Sequence, residues 1–276
     1  MTIHPNAMIP ATQILTIKSK NVNQEYRISV ALPYSYRSKL RKRYPVIYVL
    51  DANICFGMVT DMTRMMALCG GFPETIVVGI GYPVDEPLDT AFQQWRILRS
   101  RDLTPVVDKQ LEEKNAKEMK VERIRTGGAR KFLQFIESEL MPSIEAEFKA
   151  SSSDRILAGH SFGGLFVLYT LFHQSNLFKG YVASSPSLWY CDQATFKQER
   201  RFAKTNKTLP VKLYLGVGEL EEDEESRMVS NVIQLSARLE SRKYKGFSLT
   251  KQIVDNCDHC ASIARTFQDG LQAVLT

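Results

Sequence analysis

Apolar residues along this chain fall into two kinds of run. Ile14-Leu-Thr-Ile17 and Tyr26-Arg-Ile-Ser-Val-Ala-Leu32 alternate, with polar Ser19-Lys-Asn-Val-Asn23 between them. That pattern predicts an antiparallel hairpin at a sheet edge. Pro45-Val-Ile-Tyr-Val-Leu50, Thr75-Ile-Val-Val-Gly-Ile-Gly-Tyr82, Ile156-Leu-Ala158, the run from Gly180 and Val211-Lys-Leu-Tyr-Leu-Gly-Val-Gly218 are short and continuous. Such runs suit buried strands covered on both faces. A last alternating strand is expected over 247–254. Between these runs the spacing turns helical. Helices are predicted from Asp51-Ala52-Asn53 through Leu68 with a Gly70-Gly71 stop, and over 129–148, where Phe132, Phe135, Ile136, Leu140, Ile144 and Phe148 share a side. Further helices are expected over 162–172, 192–205, 226–242 and 261–275.

Strands alternating with helices imply an α/β fold: a mostly parallel central sheet with helices on both faces. Residues 83–127 break the rhythm with Pro83, Pro87, Pro105, Trp95 and arginines at 96, 99 and 101. This stretch reads as an irregular lid-like or binding insertion within a single domain spanning 1–276.

Bulk composition narrows the classes. The chain has 276 residues, 44% of them hydrophobic and 24% charged, which is ordinary globular usage. No uninterrupted apolar stretch reaches the ~18 residues of a membrane span, and the first residues lack a signal-peptide layout. Five cysteines without an export signal point to a reducing compartment, so a cytoplasmic protein is expected. A net charge of +6 comes with no aromatic-basic interleaving, so neither nucleic acid nor membrane is an expected partner.

Chemistry enters at Asp154-Arg-Ile-Leu-Ala-Gly159-His-Ser161-Phe-Gly163-Gly, where a predicted strand meets a predicted buried helix. Gly-x-Ser-x-Gly in that setting is a nucleophile elbow. The apex serine takes strained dihedrals, and the residues two before and two after must be nearly free of side chain. Ser161 would carry the nucleophilic hydroxyl. The backbone N–H of Phe162, unpaired in the first helical turn, would stabilise an oxyanion.

Ligands of doubly wound sheets bind beyond the carboxyl ends of the strands. After the 211–217 strand, six carboxylates crowd into residues 219–225, and after the last strand comes Asp255-Asn-Cys-Asp-His259. The order serine, acid, histidine is that of α/β-hydrolases. Of the four histidines, His4 lies near the terminus, His160 is inside the elbow and His173 is on an apolar helix. His259 is therefore the expected base. One carboxylate can hold its tautomer: Glu221 is favoured, with Glu219 the alternative.

Several pieces together resemble a known family: Tyr44-Pro-Val-Ile-Tyr-Val-Leu-Asp51, Val77-Val-Gly-Ile-Gly-Tyr-Pro83, Arg101-Asp-Leu-Thr-Pro105, Gly159-His-Ser-Phe-Gly-Gly164, Ser185-Pro-Ser-Leu-Trp189 and His259. The chain is similar to the esterase family of α/β-hydrolases that includes esterase D, S-formylglutathione hydrolase and the enterochelin-type siderophore esterases. Arg-Asp-Leu-Thr-Pro and Ser-Pro-Ser-Leu-Trp point to the siderophore-esterase branch. The family's acid follows its strand as Gly-x-x-Asp, which falls on Glu221, a departure from Asp to Glu. The resemblance implies a serine carboxylic-ester hydrolase working through an acyl-enzyme on siderophore-type, catecholate trilactone or related esters, with no metal or cofactor. Thioester cleavage or acyl transfer on the same triad is the alternative, and a non-catalytic binding protein on a hydrolase scaffold is a third reading.

A second oxyanion donor is expected after the 46–50 strand, from Ala52 or Asn53, while Asp51 braces that loop. Arg96, Arg99, Arg101, Trp95 and Trp189 are candidate grips on an anionic small-molecule ester. Cys257-Asp-His-Cys260 spells C-x-x-C, but a single pair gives two metal ligands and no second cluster completes a site, so the cysteines are expected to pack around His259.

Overall fold

The computed structural model describes residues 8–84 and 88–276. His4 and Pro87 lie outside them. Eight strands form one sheet: β1 (Thr12–Ser19), β2 (Gln24–Ala31), β3 (Tyr44–Val49), β4 (Ile76–Gly81), β5 (Ala150–His160), β6 (Gly180–Ser184), β7 (Lys212–Gly218) and β8 (Ser248–Val254), in the spatial order β1-β2-β4-β3-β5-β6-β7-β8. The hairpin β1–β2 is antiparallel and joins β4 antiparallel, whereas β4 through β8 run parallel.

The apolar strands are continuous because both their faces are covered. In β3, Val46 and Tyr48 enter one core while Ile47 and Val49 enter the other. The first core is closed by α4 (Ala129–Phe135), α5 (Met141–Glu147), α6 (Phe162–His173) and α8 (Met228–Arg242). The second is closed by α1 (Ala52–Leu68) and α9 (Ser262–Leu275). Helices α4 and α5 are continuous through a π turn at Ile136–Leu140, so the long amphipathic helix expected there carries a local bulge. No helix among the described residues is long and apolar enough to cross a membrane.

The described residues of 83–127 are more regular than the irregular insertion expected. They contain α2 (Leu88–Asp102) and α3 (Lys109–Glu118), and Trp95, Leu103 and Ile124 are buried. The charge-rich composition hides these helices from a periodicity search. Asp108 caps α3 by accepting from the Leu111 N–H at 3.0 Å, a start signal that the sequence does carry. Helix α7 (Tyr190–Thr205) opens earlier than its charged run suggests. Its Cys191, Asp192 and Gln193 are left-handed, with φ of 47°, 50° and 55°, before the regular helix begins.

Strand order reverses at β3: the chain steps to β4 on one side and returns as β5 on the other. The crevice beyond the carboxyl ends of β3 and β5 is thus the topological switch point, where such sheets bind ligands. Asp51 follows β3 there and Ser161 follows β5.

Candidate active site

Ser161 joins β5 to α6 with φ 60° and ψ −118°, a strained apex for a residue with a Cβ. A Cβ on Gly159 would lie 2.6 Å from the Gly163 carbonyl carbon, and one on Gly164 would lie 2.7 Å from the Ser184 carbonyl oxygen. At Gly163 the nearest atom would be Asp51 Oδ2 at 3.3 Å. The strict demands therefore fall on Gly159 and Gly164, with Gly163 as the surface that Gly159 touches. The Ser161 N–H donates to the Ser184 carbonyl at 2.9 Å, and its carbonyl accepts from Leu165 and Ser187. These bonds fix the apex to β6 and to the loop after it.

His259 and Glu221 arrive from neighbouring parallel strands. Glu221 ends a short 3-10 turn after β7, and His259 sits in the turn between β8 and α9. The two loops touch because Gly218 has no side chain: a Cβ there would lie 2.2 Å from the Cys257 carbonyl oxygen. That carbonyl accepts from the Leu220 N–H at 3.0 Å. Glu221 Oε2 lies 2.5 Å from His259 Nδ1. Its other oxygen accepts from the Gly218 N–H at 2.7 Å, Ser185 Oγ at 2.6 Å and Ser262 Oγ at 3.2 Å. Burial opposes the charge, but the hydrogen bonds from His259, Ser185 and Gly218 outweigh it and hold the carboxyl below its ordinary range. Glu219 is exposed and accepts from the Asn256 N–H, so Glu221 is the carboxylate at the histidine.

Ser161, Ser187, Trp189, Leu220, Met228 and His259 line one cavity of about 380 Å³, together with Glu221 and Ser226. With Nδ1 engaged by Glu221, Nε2 is the His259 nitrogen available for proton exchange. The Ser161 hydroxyl faces Ser187 Oγ at 3.4 Å, and no hydrogen bond joins it to His259. A larger cavity of about 580 Å³ opens at the opposite end of the sheet among Pro45, Asp154, Lys179 and Val211. None of the three groups faces it, and in parallel sheets the chemistry belongs at the other edge.

Phe162 occupies the first position of α6, and Ala52 and Asn53 the first turn of α1, where N–H groups lack helical partners. The Asn53 side chain is spent on Tyr82: Nδ2 donates to its carbonyl at 3.0 Å and Oδ1 accepts from its N–H at 2.9 Å. Asn53 can therefore offer the site only its backbone. Asp51, left-handed at φ 54°, accepts from Trp95 Nε1 at 3.1 Å and from Arg99 Nε and Nη2 at 2.8 Å each.

The expected grip of arginines does not form at this cavity. Arg99 is held between the Trp95 and Phe162 rings and paired with Asp51. Arg101 binds Asp102 at 2.6 and 2.9 Å, and Tyr26 and Tyr82 also donate to that buried carboxylate. Arg96 lies 3.9 Å from Glu118 and lines a separate groove with Phe92 and Met119. Of the five candidates, Trp189 alone lines the Ser161 cavity. The titratable side chains along that cavity are Glu221, Glu222, Asp223, Asp258 and His259, with no lysine or arginine among the described residues, so the cationic lining expected for an anionic ester is missing there.

Cys257 and Cys260 are free, the second exposed. Among the described residues no group of three or more His, Cys, Asp or Glu is placed to hold a metal. Ser185, Ser187 and Ser262 escaped the sequence reading. The first two sit in the Ser-Pro-Ser-Leu-Trp segment, which marked the resemblance without revealing that Ser185 bonds Glu221 and Ser187 faces Ser161.

An elbow serine, a histidine paired to a carboxylate and a sheet that reverses order beside them define an α/β-hydrolase. Residues 19–259 match the family model described as "Putative esterase", and the chain belongs to that esterase family. It is 35% identical over 240 residues to ferri-bacillibactin esterase BesA of Bacillus subtilis (strain 168), covering 84% of this chain and 78% of the relative. It is 33% identical over 188 residues to the siderophore triacetylfusarinine C esterase of Aspergillus fumigatus, covering 67% of this chain and 59% of the relative. Among solved structures, the BES protein from Bacillus cereus superposes with a TM-score of 0.83 at 29% identity, covering 100% of this chain and 99% of that one. The protein is an ester hydrolase.

Proposed function

We propose that Ser161, His259 and Glu221 form the triad of a serine esterase acting on siderophore-type esters. Ser161 Oγ attacks the ester carbonyl carbon as His259 Nε2 takes its proton. The tetrahedral oxyanion is held by the Phe162 N–H and by a second N–H from Ala52 or Asn53. Collapse breaks the bond to the alkoxide, which takes the proton from His259. Water, deprotonated by the same imidazole, then releases the acid and restores the serine. Glu221 holds the tautomer and stabilises the imidazolium. One observation carries this reading: His259 Nδ1 lies 2.5 Å from a buried carboxylate while its ring and the strained Ser161 line the same cavity. Ser161 and His259 are not yet bonded to each other, and such bonds tighten only when substrate closes the site.

The substrate class is supported by the names of the two relatives above, a ferri-bacillibactin and a triacetylfusarinine C esterase. A cytoplasmic location is supported by five cysteines that are all free thiols. Turnover of p-nitrophenyl esters, ferric and iron-free catecholate trilactones and hydroxamate esters by the wild type and S161A tests both parts. The wild type should hydrolyse at least one siderophore ester and S161A none. Turnover retained by S161A would overturn the mechanism, and activity confined to the simple esters would overturn the substrate class.

A further inference from the structure

His160, the middle residue of the elbow, is buried at 7% exposure. Its Nδ1 shares a 2.7 Å hydrogen bond with Ser184 Oγ, which lies 2.6 Å from Thr266 Oγ1 on α9. Thr266 donates back to the Ser262 carbonyl at 2.7 Å. Ser262 Oγ in turn reaches both Glu221 Oε1 and the His259 carbonyl at 3.2 Å. The His160 ring is thus tied to the elements that carry the acid and the base. Among the described residues its other nitrogen, Nε2, is buried without a hydrogen bond. The His259 ring rests against it, with centroids 4.4 Å apart and planes at 44°.

Resting on the triad assignment above, we propose that His160 is a positioning residue: a fixed, uncharged ring that seats the His259 imidazole and limits its swing between Glu221 and Ser161. His259 needs such a seat. Its side chain is 44% exposed, and its one hydrogen bond among the described residues, through Nδ1, leaves the ring free to rock about that contact. A misplacement of about 1 Å near a reacting centre costs on the order of a hundredfold in rate. Because His160 immediately precedes Ser161, the backbone that fixes the nucleophile also fixes the seat of the base.

Neutrality is part of the role, since a cation here would oppose the imidazolium formed as Ser161 attacks. Burial, followed by the nearby charges of His259 and Arg99, drives the His160 pKa well below its ordinary value, against a weaker pull from the His259 carbonyl. The other charged groups around the pair are Glu221, Asp258 on the His259 turn, Glu222 and Asp223 across the cavity, and Arg99, which is neutralised by Asp51.

The test is kcat and KM for p-nitrophenyl butyrate, with melting temperatures, in the wild type, H160A, H160F and S184A. His160 does not line the cavity, so KM should stay within about twofold while H160A loses roughly thirtyfold in kcat. H160F keeps a flat ring and should recover most of that loss. S184A keeps the imidazole but frees its Nδ1, and should fall between them; if H160A does not fold, S184A against the wild type carries the comparison. Wild-type kcat in the folded alanine variants would overturn the proposal. So would kcat losses that match the loss of folded protein in every variant, H160F included. Failure of the wild type to hydrolyse any ester would overturn the triad assignment itself, a separate result.

Discussion

Two buried carboxylates flank Ser161, and their partners decide what each can do. Asp51 is bound by Arg99 through two 2.8 Å bonds and by the Trp95 indole, under the rings of Trp95 and Phe162. Glu221 is bound by His259, Ser185, Ser262 and the Gly218 N–H. Both are buried and both accept several hydrogen bonds. Arginine never gives up its proton, so the Asp51 cluster is a fixed brace between α1, α2 and the elbow. Histidine exchanges its proton near neutral pH, so in the proposed triad the same carboxylate chemistry at Glu221 becomes a device for moving one. Whether a buried ion pair supports a fold or a reaction is set by the partner's proton and its access to the cavity.

The sharpest way to break this comparison is to remove the charge from each carboxylate or its partner in turn. E221Q should lower kcat by roughly a thousandfold, because an amide no longer enforces the tautomer or stabilises the imidazolium. Its KM should hardly move. A kcat near that of the wild type would show that serine and histidine suffice. R99M leaves Asp51 buried and unpaired, and should cost about 3–5 kcal/mol of stability in urea unfolding, with far less effect on kcat of the folded enzyme. Loss of turnover at unchanged stability would place Arg99 in the chemistry instead.

Acid should separate the clusters further. The Glu221 carboxyl is held below its ordinary range in the fold, so its contribution is fully present above the unfolded value of about 4.3 and is lost as pH falls through the folded one. The stability gap between wild type and E221Q should therefore shrink below about pH 4, and a gap constant from pH 7 to 3 would refute the assignment. Arg99 is shifted the other way: burial would lower its pKa, but Asp51 overrides that and raises it, so its own titration lies above any pH such an experiment reaches. The smallest effects belong to residues outside both clusters. R96A and E219Q should each change stability by less than about 0.5 kcal/mol, since exposed pairs contribute little. Both should also leave kcat within about twofold; a large loss in E219Q would return it as the acid.

Much of this was legible in the chain. Gly159-His-Ser161-Phe-Gly163 with an apolar run before it and an apolar helix after it marks the elbow, because the sterics of that bend are local. The order of serine, acid and histidine follows from loops at the same ends of parallel strands. The helices of 83–127 were not legible, since α3 (Lys-Gln-Leu-Glu-Glu-Lys-Asn-Ala-Lys-Glu) is polar almost all round and shows little periodicity. Nor were the fates of Arg99 and Arg101. A run of arginines looks the same whether it faces a cavity or is folded onto Asp51 and Asp102.

Sequence alone determined what repeats at short range: the alternation of strands and helices, the glycines of the bend, and the residue types able to attack and to carry a proton. Tertiary structure decided what depends on residues far apart in the chain meeting. It buried Glu221 beside His259 and left Glu219 in solvent, folded Arg99 and Arg101 onto Asp51 and Asp102, and laid His160 against the His259 ring. The physical reason is that spacing fixes local backbone geometry, whereas the charge, access and orientation of a side chain are set by whatever the fold packs against it.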